Sequence, residues 1–320
     1  MRPTGRMHLG NYVGALENWV RLQGEYENFH LVADWHVLTT DLNTADIHQN
    51  TVDMVIDWIT AGIDPKLSPI FIQSQIKEHA ELFLLLSMLI TTSRLERNPA
   101  LKEQVKDLNL EGRISFGHLG YPVLMAVDIL IYKADLVPVG EDQLPHIEIT
   151  REIARRFNSL YGEVFPEPEA KLTKFARLPG VDGKRMSKSV GNTILLSDPP
   201  DKIREKVLSA ITDPQKIYRN DPGHPEVCTI FVYHQKFNPA QIPEIESGCR
   251  SGALGCVDCK RNLAERLIDF LSPFRKRRKE LERDISQVEN ILQEGAQRAR
   301  EVASATMVQV REAMKLGVVS

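Results

Sequence analysis

Three short apolar runs, each giving way to a polar loop and then to a helix-forming stretch, leave few folds open to this chain. Phe29-His30-Leu31-Val32-Ala33-Asp34 precedes the helical pattern of Ile47 to Ala61, and Pro69-Ile70-Phe71-Ile72-Gln73-Ser74 precedes that of Ala80 to Ile90. Asp135-Leu136-Val137-Pro138-Val139 runs into Gly140-Glu141-Asp142-Gln143 and then a helix through Phe157. Runs of this kind belong to strands buried on both faces, as in a parallel sheet. The expected fold is α/β, a parallel sheet with helices on both faces and ligands at the carboxyl ends of the strands. Beyond about Leu196 the pattern changes. Pro199-Pro200 opens a helical stretch to Ile211, a cysteine-containing segment follows, and Arg261 to Met314 is almost wholly helix-forming, with Asn290 and Gly295 as its visible interruptions. Two domains are expected, 1–195 and an all-helical 196–320, and 320 residues suffice for two full cores.

Composition excludes some function classes. With 42% hydrophobic and 26% charged residues the chain is neither disordered nor fibrous. Its longest apolar run, Leu82 to Ile90, is too short to cross a bilayer. Met1-Arg2-Pro3-Thr4-Gly5 lacks the apolar stretch of a secretory signal, so a cytoplasmic location without a membrane partner is expected. The net charge of −3 leaves any nucleic-acid contact to a local patch. Arg275-Lys276-Arg277-Arg278-Lys279 is the candidate, with a solvated helix face as its plain alternative.

Two blocks carry chemistry. In Arg185-Met186-Ser187-Lys188-Ser189, Lys188 can be a phosphate-binding cation with Arg185 beside it, on a loop that Gly180, Gly183 and Gly191 leave free to move. In His8-Leu9-Gly10-Asn11, Gly10 lets a phosphate or ribose approach the backbone, His8 and Asn11 offer polar contacts, and Tyr12 to Leu22 reads as the following helix. Singly, each could be a surface turn or a helix cap. Together, in this order, they resemble the KMSKS and HIGH signatures of class I aminoacyl-tRNA synthetases. That resemblance implies a Rossmann-like catalytic domain over 1–195 and a tRNA anticodon-binding domain over 196–320.

Further blocks narrow the resemblance. Tyr121-Pro122-Val123-Leu124-Met125-Ala126-Val127-Asp128-Ile129-Leu130, Val139-Gly140-Glu141-Asp142-Gln143 and His146-Ile147-Glu148-Ile149-Thr150-Arg151 resemble the central blocks of the tryptophanyl-tRNA synthetases, and the match runs from Pro3 to the segment 301–317. The residues read alone agree. Tyr121, Met125 and Asp128 fall at i, i+4 and i+7 on one helix face, presenting an aromatic ring, a soft apolar filler and one carboxylate. An indole has one N–H donor and no acceptor, so an apolar pocket with one acidic acceptor suits it. Phenylalanine would leave that acceptor unpaired, a mismatch worth ~10⁴–10⁵-fold in selectivity. The alternative is an ordinary core helix whose buried Asp pairs with an Arg.

Position by position, the resemblance implies that Asp128 accepts the indole N–H, that Tyr121, Met125, Val137 and Val139 wall the pocket, and that Gln143 and Tyr121 hold the α-amino group. His36 matches a polar position nearby, with a satisfied core histidine as its alternative. Pro3, Thr4, His8, Gly10, Asn11, Gly140, Glu141, Asp142 and Leu178 would line the ATP, and Arg185, Met186, Ser187, Lys188 and Ser189 would close over its phosphates. Lys188, Arg185 and His8 are the implied catalytic groups. The implied reaction joins L-tryptophan and ATP, with Mg²⁺, into an adenylate and transfers the aminoacyl group to the 2′-hydroxyl of tRNA(Trp) in a homodimer. Family members open with a strand ending in Ser-Gly before the Pro-Thr-Gly found here as Pro3-Thr4-Gly5, so that strand is expected to be missing. Rival readings are a tyrosine-activating relative and a synthetase-like regulator that binds nucleotide or RNA without charging tRNA.

All four cysteines, Cys228, Cys249, Cys256 and Cys259, lie in one segment spaced Cys-x20-Cys-x6-Cys-x2-Cys. A cytoplasmic setting disfavours disulfides, and the clustering argues for a metal centre. Structural zinc commonly uses two close Cys pairs, of which only Cys256 and Cys259 make one. A [4Fe–4S] cluster accepts uneven spacing, and the pattern resembles a subgroup of tryptophanyl-tRNA synthetases that carries one. The cluster is the favoured expectation and Zn²⁺ the alternative.

Overall fold

A computed structural model describes residues 1–172, 178–188 and 190–317. Four strands are present: β1 (His30–Val32), β2 (Ile70–Ile72), β3 (Leu136–Val139) and β4 (Glu169–Leu172). Around the first two lie α1 (residues 9–22, with a π-helical turn over Tyr12–Leu16), α2 (Asp34–Leu38), α3 (Ile47–Ala61), α4 (Glu78–Ser87), α5 (Thr92–Glu96) and α6 (Pro99–Asp107). Flanking the second two are α7 (Phe116–Leu130) and α8 (Leu144–Tyr161). The remainder is helical: α9 (Pro200–Ser209), α10 (Thr229–Phe237), α11 (Ile242–Arg250), α12 (Cys256–Leu281) and α13 (Ile285–Met314).

Pairing is parallel, as expected. β1 pairs with β2 in the register Leu31↔Phe71, and β3 with β4 in the register Val137↔Ala170. Among the described residues these are two separate ladders and not one continuous sheet. No strand lies between them there, and a cavity opens that is lined by Leu31 and Ala33 on one side and by Leu136 and Val137 on the other. β4 escaped the sequence reading because Glu-Ala-Lys-Leu is not apolar, and its exposed Glu169 and Leu172 explain why it need not be.

Helices cover both faces of β2. Ile70 buries among Val32, Val55 and Trp58 on the α3 side, whereas its neighbour Phe71 buries among Leu82, Val127 and Ala299 on the other. The two-residue repeat of a strand sends consecutive side chains to opposite layers. α13 lies against β2 so closely that a Cβ at Gly295 would fall 2.0 Å from the Ile70 carbonyl oxygen. Neither Asn290 nor Gly295 interrupts α13, contrary to expectation, because the missing side chain is used for helix-to-strand contact. The long helical stretch breaks instead at residues 282–284. Among the described residues no helix is long and apolar enough to cross a membrane.

Candidate active site

The two signatures, distant in sequence, are stitched together in space. His8 caps α1: its Nδ1 accepts the Asn11 N–H at 3.2 Å, and Asn11 Oδ1 accepts the His8 N–H at 3.1 Å. Residues 194–196 run antiparallel beside 7–9, with Leu9 N–H donating to Ile194 O and Leu196 N–H to Met7 O, both at 2.9 Å. Gly10 then faces Met186, whose sulfur would stand 2.9 Å from any Cβ there. A glycine is required because the second signature occupies that space.

The Lys188 loop is pinned, where glycine content alone suggested freedom. Asn192 Oδ1 accepts the Ser187 N–H at 2.8 Å, and its Nδ2 donates to Arg185 O at 3.0 Å and Asp182 Oδ1 at 2.8 Å. Sequence reasoning missed Asn192, although it lies just past the signature. Lys188 Nζ donates to Thr4 O at 2.7 Å, which ties the loop to the Pro3-Thr4-Gly5 segment. Burial lowers the Lys188 ammonium pKa from its usual value, against the fields of Asp57 and Asp53. Burial, with the charge of Lys188, takes the His8 imidazole down to about 4, so the ring is neutral at pH 7. With Nδ1 accepting from Asn11, the ring proton sits on Nε2, which is left as a donor. Leu178 is buried near this loop, and Ser189 lies outside the described residues.

The amino-acid side is a cavity of about 1340 Å³. Asp128, Tyr121, Met125 and His36 line it, as do Val137, Val139 and Gln143, so the seven residues expected around a side chain gather there. Thr4, Asp142 and Arg185 line the same space and link it to the two signatures. Gly140, Glu141 and Asp142 sit where β3 ends and α8 begins, and a Cβ on Gly140 would meet Asp142 Oδ1 at 2.7 Å.

Among the described residues Asp128 pairs with no arginine. Its Oδ1 accepts from Gln73 Nε2 at 2.6 Å and His79 Nδ1 at 2.8 Å, and its Oδ2 lies 2.9 Å from His36 Nε2. His79, fully buried, reaches Tyr132 Oη at 2.8 Å through its other nitrogen. Burial opposes ionisation of Asp128, yet the hydrogen bonds from His36 and His79 outweigh it and hold the carboxyl below its usual range. A carboxylate has about four lone-pair sites, so three partners leave roughly one for a further donor. Gln73 could have been found from its place at the end of β2; nothing in the sequence marks His79. Tyr121 Oη lies 3.0 Å from His146 Nε2, and burial pushes the phenol up to about 12 and the imidazole down to about 4.

The candidate nucleic-acid patch divides. Lys276, Arg277 and Lys279 are exposed, but Arg278 is buried and Arg275 donates to Ile268 O at 2.8 Å. Positions three apart share a helix face, so Arg275 and Arg278 turn toward the body.

The four cysteines approach one another at the start of α10, in α11 and in the first turn of α12. None is disulfide-bonded. Burial, with the charges of the other three, pushes the Cys259 thiol up to about 12, and burial likewise raises Cys228 and Cys249. Among the described residues no three His, Cys, Asp or Glu side chains stand as a ready ligand set.

Comparison with known proteins follows the same outline. Residues 1–272 match the tRNA synthetases class I (W and Y) family. The chain is 50% identical to a tryptophan–tRNA ligase of Thermotoga maritima, covering 99% of this chain and 98% of that one. It is 45% identical to the corresponding ligase of Aquifex aeolicus, with the same two coverages. A tryptophanyl-tRNA synthetase of Campylobacter jejuni, solved with ADP and tryptophan, superposes with a TM-score of 0.88 at 33% identity, covering 99% of this chain and 98% of that one.

Proposed function

Because the chain belongs to the class I tRNA synthetases and, within them, to the tryptophan–tRNA ligases, we propose that it activates L-tryptophan with ATP and charges tRNA(Trp) at the 2′-hydroxyl, releasing pyrophosphate and AMP. The observation that carries this reading is Asp128: an ionised carboxylate, its side chain 9% exposed, on a large cavity, with three donors in place and about one acceptor site left. An indole N–H is the donor that fits. Tyr121, Met125, Val137 and Val139 wall the ring, His36 steadies the carboxylate, and Gln143 with Tyr121 meets the α-amino group.

ATP, taken with Mg²⁺, lies along Pro3, Thr4, His8, Gly10, Asn11, Gly140, Glu141, Asp142 and Leu178, under the loop of residues 185–189. The tryptophan carboxylate attacks the α-phosphorus and pyrophosphate leaves. Lys188 and Arg185 stabilise the charge that grows on it, and the neutral His8 offers Nε2–H to a phosphate oxygen. No side chain acts as a covalent nucleophile. Residues 1–195 form the catalytic part and 196–320 the tRNA-binding part, where exposed Lys276, Arg277 and Lys279 meet phosphate. A cytoplasmic homodimer is the form that the family resemblance suggests.

For the cysteines the reading is a [4Fe–4S] cluster, with Zn²⁺ as the alternative. Cys228, Cys249 and Cys256 lie near enough to act on the Cys259 thiol, which supports it; the four would have to draw together to hold it, and a cationic centre would offset the burial that now keeps Cys228, Cys249 and Cys259 protonated. Its contribution is to shape the surface near Lys260 and Arg261, outside the reaction itself.

Amino-acid-dependent pyrophosphate exchange tests the function. Exchange should depend on tryptophan and not on tyrosine, and equal rates with the two would overturn the assignment.

A further inference from the structure

A buried charge node joins the C-terminal helices to the segment just before the first signature. Asp57, on α3, has no exposed surface; its Oδ2 accepts the Met7 N–H and its Oδ1 accepts Arg278 Nη1, each at 2.6 Å. Arg278, from α12, is 3% exposed. Its Nη2 pairs with Asp53, its Nε donates to Glu282 at 2.8 Å, and Nη1 also reaches the Asp53 carbonyl at 3.1 Å. Arg6 stands 3.5 Å from Asp53 and 3.7 Å from Glu282. Gly5, at φ +83°, has Asn50 of α3 where a Cβ would go, at 2.8 Å, and Lys188 Nζ at 4.0 Å. Residues 5–7 therefore run through a clamp made by α3, α12 and the Lys188 loop.

We propose that Arg278 is a positioning residue for ATP binding: by holding the Asp57 carboxylate it holds the Met7 N–H, and so fixes His8 to Asn11 against Met186 and Lys188. The inference rests on the ATP site proposed above. A fork is suited to this place because Arg278 reaches Glu282, Asp57 and Asp53 from three separate nitrogens in four contacts, whereas an ammonium offers three donors from a single nitrogen. If Arg278 is removed, Asp57 is left a buried carboxylate with no hydrogen-bonded counter-charge and only the field of Lys188, so it must take up a proton, draw in water or turn from Met7. Each outcome shifts the residue next to His8, while the Asp128 pocket on β2, α4 and α7 is untouched.

The test compares Arg278→Met, Arg278→Lys and the double variant Asp57→Asn/Arg278→Met with the parent chain. Dissociation constants for Mg·ATP and for tryptophan are measured by calorimetry, and KM and kcat by pyrophosphate exchange, at a temperature where each variant is folded by circular dichroism. Arg278→Met should weaken ATP binding by roughly 10-fold or more, within the ~10² that a misplacement of about 1 Å can cost, and leave tryptophan binding within about twofold. Arg278→Lys should fall between the two and decides the matter if the Met variant does not fold. Because it no longer buries an unpaired carboxylate, the double variant should lose less ATP affinity than Arg278→Met alone. A lowered melting temperature with ATP affinity unchanged, or parallel losses for ATP and tryptophan, would overturn the proposal. Loss of tryptophan-dependent exchange in the parent would sink the functional reading instead, and the ATP comparison would still judge Arg278.

Discussion

At the scale of single residues, the site separates charge that waits from charge that appears. Lys188 matters most once pyrophosphate begins to leave, so Lys188→Ala should lower the adenylation rate by ~10²-fold or more and change tryptophan binding little. Single-turnover rates beside equilibrium tryptophan titration check this, and a parallel loss of both would show a ground-state role. Asp128 acts earlier. In Asp128→Asn an amide NH₂ would oppose one of the donors now supplied by Gln73, His79 and His36. Tryptophan kcat/KM should fall by roughly 10²-fold, the worth of a hydrogen bond to a charged group, and the tryptophan to phenylalanine ratio should shrink. An unchanged ratio would remove Asp128 from specificity. Tyr121, Met125 and Asp128 share one helix face, which the helical repeat made legible beforehand; Gln73 carried only the weaker signal of its place at a strand end, and His79 carried none, because its partner comes from a helix far along the chain.

At the scale of elements, α13 shows a local preference overruled by packing. Gly295→Ala would gain about 1 kcal/mol in helix propensity. The new Cβ, 2.0 Å from Ile70 O and 2.7 Å from Ile70 C, must push a strand, which costs about 1–3 kcal/mol or more. The variant should melt below the parent in calorimetry, and a higher melting temperature would mean that α13 can slide. In the cysteine segment, Cys256→Ser should bleach anaerobically purified protein and lower tRNA charging more than adenylate formation. Stoichiometric zinc without iron would defeat the cluster. Strands β1 to β3 announced themselves by apolar runs, whereas β4 and the contact of α13 could not, since Glu-Ala-Lys-Leu and an alanine-rich face carry no comparable signal.

For the whole molecule, acid should be a shared weakness. Burial lowers His8 and His146 to about 4 and His30 to about 3, against about 6.5 in the unfolded chain. Between those values the unfolded chain binds more protons, so stability rises with pH across the window and is lost as pH falls from about 6.5 toward 4. The melting temperature should drop between pH 7 and pH 5; a flat profile would contradict the burial of these rings. The sequence changes pattern near Leu196, but nothing in that change announces the return of α13 to the core around β2, because it depends on side chains matched across most of the chain. That return also bears on how the polypeptide is made. Ala299, Met307 and Val310 are buried in the same core as Phe71 of β2. During translation the ribosome delivers Phe71 long before them, and domains otherwise tend to fold as they emerge. The growing chain must therefore carry an open apolar flank until α13 leaves the exit tunnel, and chaperones have that interval in which to bind.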